Sequence, residues 1–132
     1  MKSKMIIGIP VYDDCCLLDV TGPYEMLAWG GLAVELVTQD PGLIKSGVGL
    51  TFAVTTGFAQ AANYDALWVP GGEPAAIARV MGDPSRAYLD FLIHKAARAT
   101  YVCSVCNGAV LLAAAGLLDG YEATTHGGTC AA

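Results

Sequence analysis

Four short, mostly apolar, strand-like runs most constrain the fold of this 132-residue chain. They cover residues 5–11, 33–38, 66–69 and 100–105. An uninterrupted apolar run is typical of a strand buried on both faces, as in a parallel sheet covered by helices. Parallel neighbours need crossover connections, which are usually helical. We therefore predict an α/β fold with a doubly wound, mostly parallel sheet.

Helix signals lie between these runs. Pro23 follows a glycine and stands at a predicted first helical position, so we expect a helix over residues 23–29. Asp83-Pro84 opens a second amphipathic helix, and residues 107–115 form another. Residues 40–58 are rich in Gly and Thr and predict only short strand pieces. Neither a repeat nor a linker interrupts the pattern, so we expect one domain over residues 1–132.

Composition narrows the function classes. The chain is 55% hydrophobic, which excludes general disorder, and twelve acidic against seven basic residues leave a net charge of −5. A negative net charge disfavours binding to nucleic acid or to an anionic membrane surface. Pro10 and Asp13-Asp14 interrupt the first apolar run, so we interpret it as a strand and not as a signal peptide. We expect a cytoplasmic location, in which the five cysteines are thiols: Cys15, Cys16, Cys103, Cys106 and Cys130.

Ligand sites of doubly wound sheets lie beyond the carboxyl ends of the strands. Three segments should converge there: residues 12–23, the turn Pro70-Gly71-Gly72, and residues 104–108. Gly71 and Gly72 have no Cβ, so their N–H groups can approach a ligand closely. Asp19 has apolar neighbours in the chain, and partial burial would favour its protonated form and suit proton transfer. Helix capping and a solvated loop are equally compatible with this acid.

Cys106 stands where a predicted strand runs into a predicted helix with almost no loop. A residue at such a corner adopts a strained backbone and exposes its side chain over the sheet, which is the geometry of a nucleophile elbow. Gly108 follows two residues later and permits close packing. The positive end of the helix dipole would stabilise a Cys106 thiolate. The spacing alone fits a small buried side chain at a strand end equally well.

Two alternatives use the same cysteines. Cys103 and Cys106 form a C-x-x-C pair, but a redox pair of this kind normally has its first cysteine at the helix start, not inside a strand. His126 and Cys130 would complete a zinc-like spacing. We expect no metal, because the strand and the helix direct Cys103 and Cys106 away from one tetrahedral ion.

Several motifs resemble the DJ-1/PfpI (ThiJ) superfamily in the right order along nearly the whole chain. They are Leu18-Asp19-Val20-Thr21-Gly22-Pro23-Tyr24-Glu25, Val69-Pro70-Gly71-Gly72, Ser104-Val105-Cys106-Asn107-Gly108, and residues 115–126 with Ala123-Thr124-Thr125-His126. Within it the likeness is greatest to isocyanide hydratases and to the amidase-like domains of some AraC-type regulators. The resemblance implies a flavodoxin-like sheet, related to class I glutamine amidotransferases, and a homodimer.

The resemblance also implies site roles. Cys106 matches the family's nucleophile and Asp19 the acid that isocyanide hydratases place beside it. The N–H groups of Gly72 and Asn107 match the anion-binding pocket, and His126 lies near the site in several branches. His126 and Glu25 are therefore candidate supporting residues around the site. No metal or organic cofactor is implied.

The implied activity is cysteine-dependent hydration of a small molecule, foremost an isocyanide to an N-substituted formamide. An amidase-like or glyoxalase-like thiol enzyme and a non-catalytic ligand-sensing or redox-sensing domain are the alternatives. The chain departs from the family pattern at Asn107, where protease-like members have His and hydratases commonly have Thr, and at Gly127, which replaces a frequent Trp. Family members also continue with at least one more strand–helix unit, so we expect a domain that is short at its C-terminus.

Overall fold

A five-stranded sheet forms the centre of the protein in a computed structural model that describes residues 4–127. The strands are β1 (Ile6–Pro10), β2 (Ala33–Thr38), β3 (Gly42–Lys45), β4 (Thr51–Val54), β5 (Thr56–Gly57), β6 (Ala66–Val69) and β7 (Tyr101–Ser104). The helices are α1 (Leu17–Trp29), α2 (Pro74–Gly82), α3 (Ala87–Ala96) and α4 (Gly108–Ala114), and Phe58–Gln60 forms a 3₁₀ turn.

The strand order of the central sheet is β5-β2-β1-β6-β7, and every pair is parallel. Apart from the short β5, the order β2-β1-β6-β7 is that of the first four strands of a flavodoxin-like sheet. The predicted fold class is confirmed. The chain moves from β1 to β2 in one direction and from β6 to β7 in the other, so right-handed crossovers place α1 and α3 on opposite faces.

The core lies between the sheet and its helices. Ile9 and Leu67 on neighbouring strands are fully buried, as are Leu92 on α3 and Leu111 on α4. Helices α2, α3 and α4 contact one another, while α1 contacts β2. Of the helices within residues 4–127, none has both the length and the apolar character needed to cross a bilayer.

The four predicted strands are confirmed, but two helix predictions are wrong. Helix α1 begins at Leu17, so Pro23 lies inside it and not at its start. Helix α2 was not predicted, although Pro74 occupies a first-turn position there. The predicted start at Asp83 is also wrong, because Asp83 Oδ1 accepts the Ser85 N–H in a turn and α3 begins only at Ala87.

The segment over residues 40–58 contains an antiparallel hairpin of β3 and β4 outside the main sheet. This hairpin is joined to the loop after β1 by two backbone hydrogen bonds. Asp14 N–H donates to the Lys45 carbonyl at 2.7 Å, and Gly47 N–H donates to the Cys15 carbonyl at 2.9 Å. The hairpin therefore supports one of the three loops that were predicted to form the site.

Candidate active site

Cys106 lies at a sharp corner between β7 and α4. Its φ is 54°, in the left-handed region that residues with a side chain rarely adopt, so the predicted strained corner is confirmed. The corner packs tightly against the end of β6, since Val105 N–H donates to the Val69 carbonyl at 3.2 Å. A Cβ on Gly108 would lie 2.4 Å from the same Val69 oxygen, so only glycine fits there. The Cys106 side chain is half-buried.

Gly71 is the point at which the predicted site residues meet. A Cβ on Gly71 would lie 2.5 Å from Asn107 Oδ1, 2.9 Å from Cys106 Cβ and 3.0 Å from Asp19 Oδ2. The three residues come from the corner after β7 and from the first turn of α1, and only the missing side chain of Gly71 lets them approach. The expected convergence at the carboxyl ends of β1, β6 and β7 is therefore confirmed.

Asp19 is held on both its side chain and its backbone. Its Oδ2 accepts the Gly71 N–H at 3.0 Å, and its carbonyl accepts the Trp68 indole N–H at 3.1 Å. The side-chain N-cap alternative is wrong, because Cys16 is the N-cap residue of α1 and no side chain caps this helix. The carboxylate instead points towards the turn after β6, beside Cys106.

Asn107 forms a pair of hydrogen bonds with Gly72. Its Oδ1 accepts the Gly72 N–H and its Nδ2 donates to the Gly72 carbonyl, both at 2.9 Å. The Gly72 N–H, which was predicted to bind an anion, is thus already used by a side chain. Its role stays a prediction, and it requires the Asn107 carboxamide to turn away. The Asn107 N–H has no acceptor among residues 4–127.

Tyr12 is a site-forming residue that sequence reasoning missed. Its buried hydroxyl donates to the Pro70 carbonyl at 2.7 Å, and a Cβ on Gly72 would lie 2.8 Å from its ring. Burial raises the pKa of Tyr12 far above its ordinary value, and the neighbouring Cys15 and Asp19 charges raise it further. The hydroxyl therefore stays protonated and fixes the turn. The only sequence signal was its place directly after the first strand.

The two predicted supporting residues differ in position. The segment that carries His126 reaches the corner, because Thr125 Oγ1 donates to the Cys106 carbonyl at 3.1 Å. Glu25 is exposed on α1 and lines a small cleft of about 210 Å³ together with Leu50 of the β3–β4 hairpin. The roles of both residues stay predictions.

The other thiols differ from Cys106 in their surroundings. Burial raises the pKa of Cys15 to about 11, and burial also raises the pKa of Cys16 and of Cys103. Cys15, Cys16, Cys103 and Cys106 are all free thiols in the structure. Cys130 lies outside the described residues. Within residues 4–127, no three His, Cys, Asp or Glu side chains are placed to hold a metal ion.

A model of the DJ-1/PfpI family matches residues 5–130. The chain belongs to this family. It is 42% identical over 121 residues to isonitrile hydratase of Pseudomonas putida, a match that covers 91% of this chain and 51% of that protein. It is 34% identical over 128 residues to an uncharacterised Streptomyces lividans protein from the cpoL 5′ region, covering 91% of this chain and 86% of the relative.

Solved structures agree with this assignment. A ThiJ/PfpI family protein from Pseudomonas syringae superposes with a TM-score of 0.82 and 32% identity, over 94% of this chain and 51% of that chain. Toxoplasma gondii DJ-1 in its oxidised form has the same fold, with a TM-score of 0.78 at 22% identity over 92% of this chain and 66% of that one. This chain spans about half the length of the Pseudomonas relatives.

Proposed function

We propose that this protein hydrates isocyanides to N-substituted formamides, with Cys106 as the nucleophile and Asp19 as the proton donor. The observation that carries the proposal is the meeting of these two side chains at Gly71. The 42% identity to an isonitrile hydratase supports the choice of substrate class. No metal or organic cofactor takes part in the proposed reaction.

The reaction proceeds in two steps. The Cys106 thiolate attacks the terminal isocyanide carbon, a C–S bond forms, and Asp19 delivers a proton to that carbon, which gives a covalent thioimidate. A water molecule then adds to the thioimidate carbon while Asp19, now a carboxylate, accepts a proton. Cleavage of the C–S bond, with proton transfer to nitrogen, releases the formamide and restores the thiolate. The sum is one isocyanide and one water to one formamide.

Asn107 takes part by its position next to the nucleophile. Its peptide N–H, which has no acceptor within residues 4–127, is the donor available to the charge that develops during attack. The Gly72 N–H becomes a second donor when the carboxamide of Asn107 turns away. The small-molecule substrate and a homodimer are the partners that belong to this proposal.

The test is formamide production from cyclohexyl isocyanide by the purified protein. Cys106→Ser should abolish turnover, while Cys103→Ser, a matched loss of a thiol on β7, should retain it. Asp19→Asn keeps an oxygen that can accept the Gly71 N–H, so the fold should persist while kcat falls by about 10²–10⁴. Melting temperatures of all variants separate loss of chemistry from loss of structure.

Two results would overturn the proposal. If Cys106→Ser still produces formamide, Cys106 is not the nucleophile. If the folded wild-type protein produces no formamide, the protein does not catalyse isocyanide hydration. In the second case, hydrolysis of small amides or glyoxalase activity would indicate the other thiol enzymes. Saturable binding of a small molecule without turnover would indicate a sensing domain.

A further inference from the structure

Pro23 interrupts the hydrogen bonding of α1 at the residue that matters most for the site. In an α-helix, the N–H of residue 23 donates to the carbonyl of residue 19. Proline has no N–H, so Pro23 leaves the Asp19 carbonyl without its helical donor. A polar backbone group in the first turn of α1 therefore needs a partner from elsewhere in the fold.

Trp68 supplies that partner. Its indole N–H donates to the Asp19 carbonyl at 3.1 Å, across 49 positions of the chain. Trp68 is half-buried on β6, an interior strand of the sheet, and it pairs with Cys103 of β7. The donor is therefore carried by a strand that is paired with a neighbour on each side.

The turn that follows this strand holds the Asp19 side chain. Gly71, three residues after Trp68, donates its N–H to Asp19 Oδ2 at 3.0 Å. One continuous segment, from Trp68 to Gly71, thus fixes both the backbone and the carboxylate of Asp19. Two hydrogen bonds from one rigid segment determine the position and the direction of this acid relative to Cys106.

We propose that Trp68 is a positioning residue, whose indole N–H replaces the donor lost at Pro23 and holds Asp19 beside Cys106. Trp68 acts through Asp19 and not on the substrate. The inference rests on the proposed function for its effect on turnover, but its structural consequence, the direction of the Asp19 carboxylate, is measurable without any substrate.

The test is a double-mutant cycle in the purified protein. Trp68→Phe removes the N–H but keeps an aromatic ring, and it should lower kcat for cyclohexyl isocyanide by at least about tenfold while KM changes little. Pro23→Ala restores a backbone N–H for the Asp19 carbonyl and should by itself leave kcat within about twofold of wild type. In the double variant this new donor replaces the indole, so kcat should return to within about threefold of wild type.

A second measurement does not depend on turnover. Amide hydrogen exchange of Gly71 reports its bond to Asp19 Oδ2. This exchange should become faster in Trp68→Phe and slow again in the double variant, while Val11, whose N–H donates to the Val37 carbonyl at 2.8 Å, should be unchanged and serves as the control.

The outcomes are distinguishable. Absence of formamide with wild-type protein, together with the expected exchange pattern, defeats the proposed function and leaves the positioning role of Trp68 in place. A double variant whose Gly71 exchange stays as fast as that of Trp68→Phe shows that ring packing, not the indole N–H, holds Asp19, and this overturns the inference. Unchanged Gly71 exchange in Trp68→Phe overturns it as well.

Discussion

Burial holds several of the described cysteines in the thiol form, and this bears on which cysteine should react first. Cys15 is fully buried and its pKa is raised to about 11, while burial also raises the pKa of Cys16 and of Cys103. Their thiols stay protonated at neutral pH, and thiols attack electrophiles only as thiolates. Cys106 lies half-buried at the corner between β7 and α4, beside the Asp19 carboxylate.

We predict that iodoacetamide modifies Cys106 before the other cysteines. At about pH 6 peptide mass spectrometry should show alkylation on Cys106 alone, and the other thiols should follow only as the pH rises. The protein denatured in urea is the control, because its cysteines should react at similar rates. Faster modification of Cys15, Cys16 or Cys130 in the folded protein would contradict the assignment of Cys106.

At the scale of single elements, the approach of α4 to β6 determines whether the corner can form. A Cβ on Gly108 would lie 2.4 Å from the Val69 carbonyl oxygen, and both atoms belong to backbone that cannot move without shifting a strand or a helix. Gly82 at the end of α2 offers a matched comparison, since a Cβ there would meet nothing within 4 Å.

Gly108→Ala should therefore lower the free energy of unfolding by about 2–4 kcal/mol, through the clash of a methyl group with the backbone. Gly82→Ala should change it by less than about 1 kcal/mol, because the methyl group enters open space. Urea unfolding of both variants measures the difference. Equal stability of the two would show that the corner relaxes without cost.

At the scale of the whole molecule, buried thiol and phenol groups make the stability of the fold decrease at alkaline pH. Burial raises the pKa of Cys15 above its ordinary value of 9.0, and it raises the pKa of Tyr12, Tyr64 and Tyr88 as well. A group whose pKa is higher in the folded than in the unfolded state binds its proton more tightly when folded. The contribution of such a group to the free energy of unfolding is complete below its pKa in the unfolded state. This contribution is lost as the pH rises through its pKa in the folded state.

The free energy of unfolding should therefore fall between about pH 9 and pH 11. Cys15→Ala removes one of these groups, so its decline over this window should be smaller than that of wild type by about 1–3 kcal/mol. Urea unfolding with a reductant present, at both ends of the window, measures the two declines. Identical declines would mean that Cys15 does not carry this pH dependence.

Local sequence patterns were sufficient to predict the main strands of the sheet and the edge at which the candidate site lies. Strands β1 and β6 followed from uninterrupted apolar runs, because burial on both faces of a sheet requires them. Strands β2 and β7 followed from less regular runs, and β7 is exposed at Tyr101 and Val102. The corner at Cys106 followed from a strand that meets a helix without a loop. The meeting of residues from three loops followed from the rule that strand ends share one edge of a parallel sheet.

Only the tertiary structure decided how the site residues are held. Pro23 was interpreted as a helix start, because sequence shows that it lacks an N–H but not that Trp68, far along the chain, replaces that donor. The hydrogen bond from the Gly72 N–H to Asn107 joins residues 35 positions apart in the chain, and the hydrogen bond from Tyr12 to Pro70 joins residues 58 positions apart. Such bonds depend on which segments become neighbours after folding, and no local periodicity records them. The elements were thus determined by short-range burial patterns, and the arrangement of the acid, the thiol and their donors by long-range contacts.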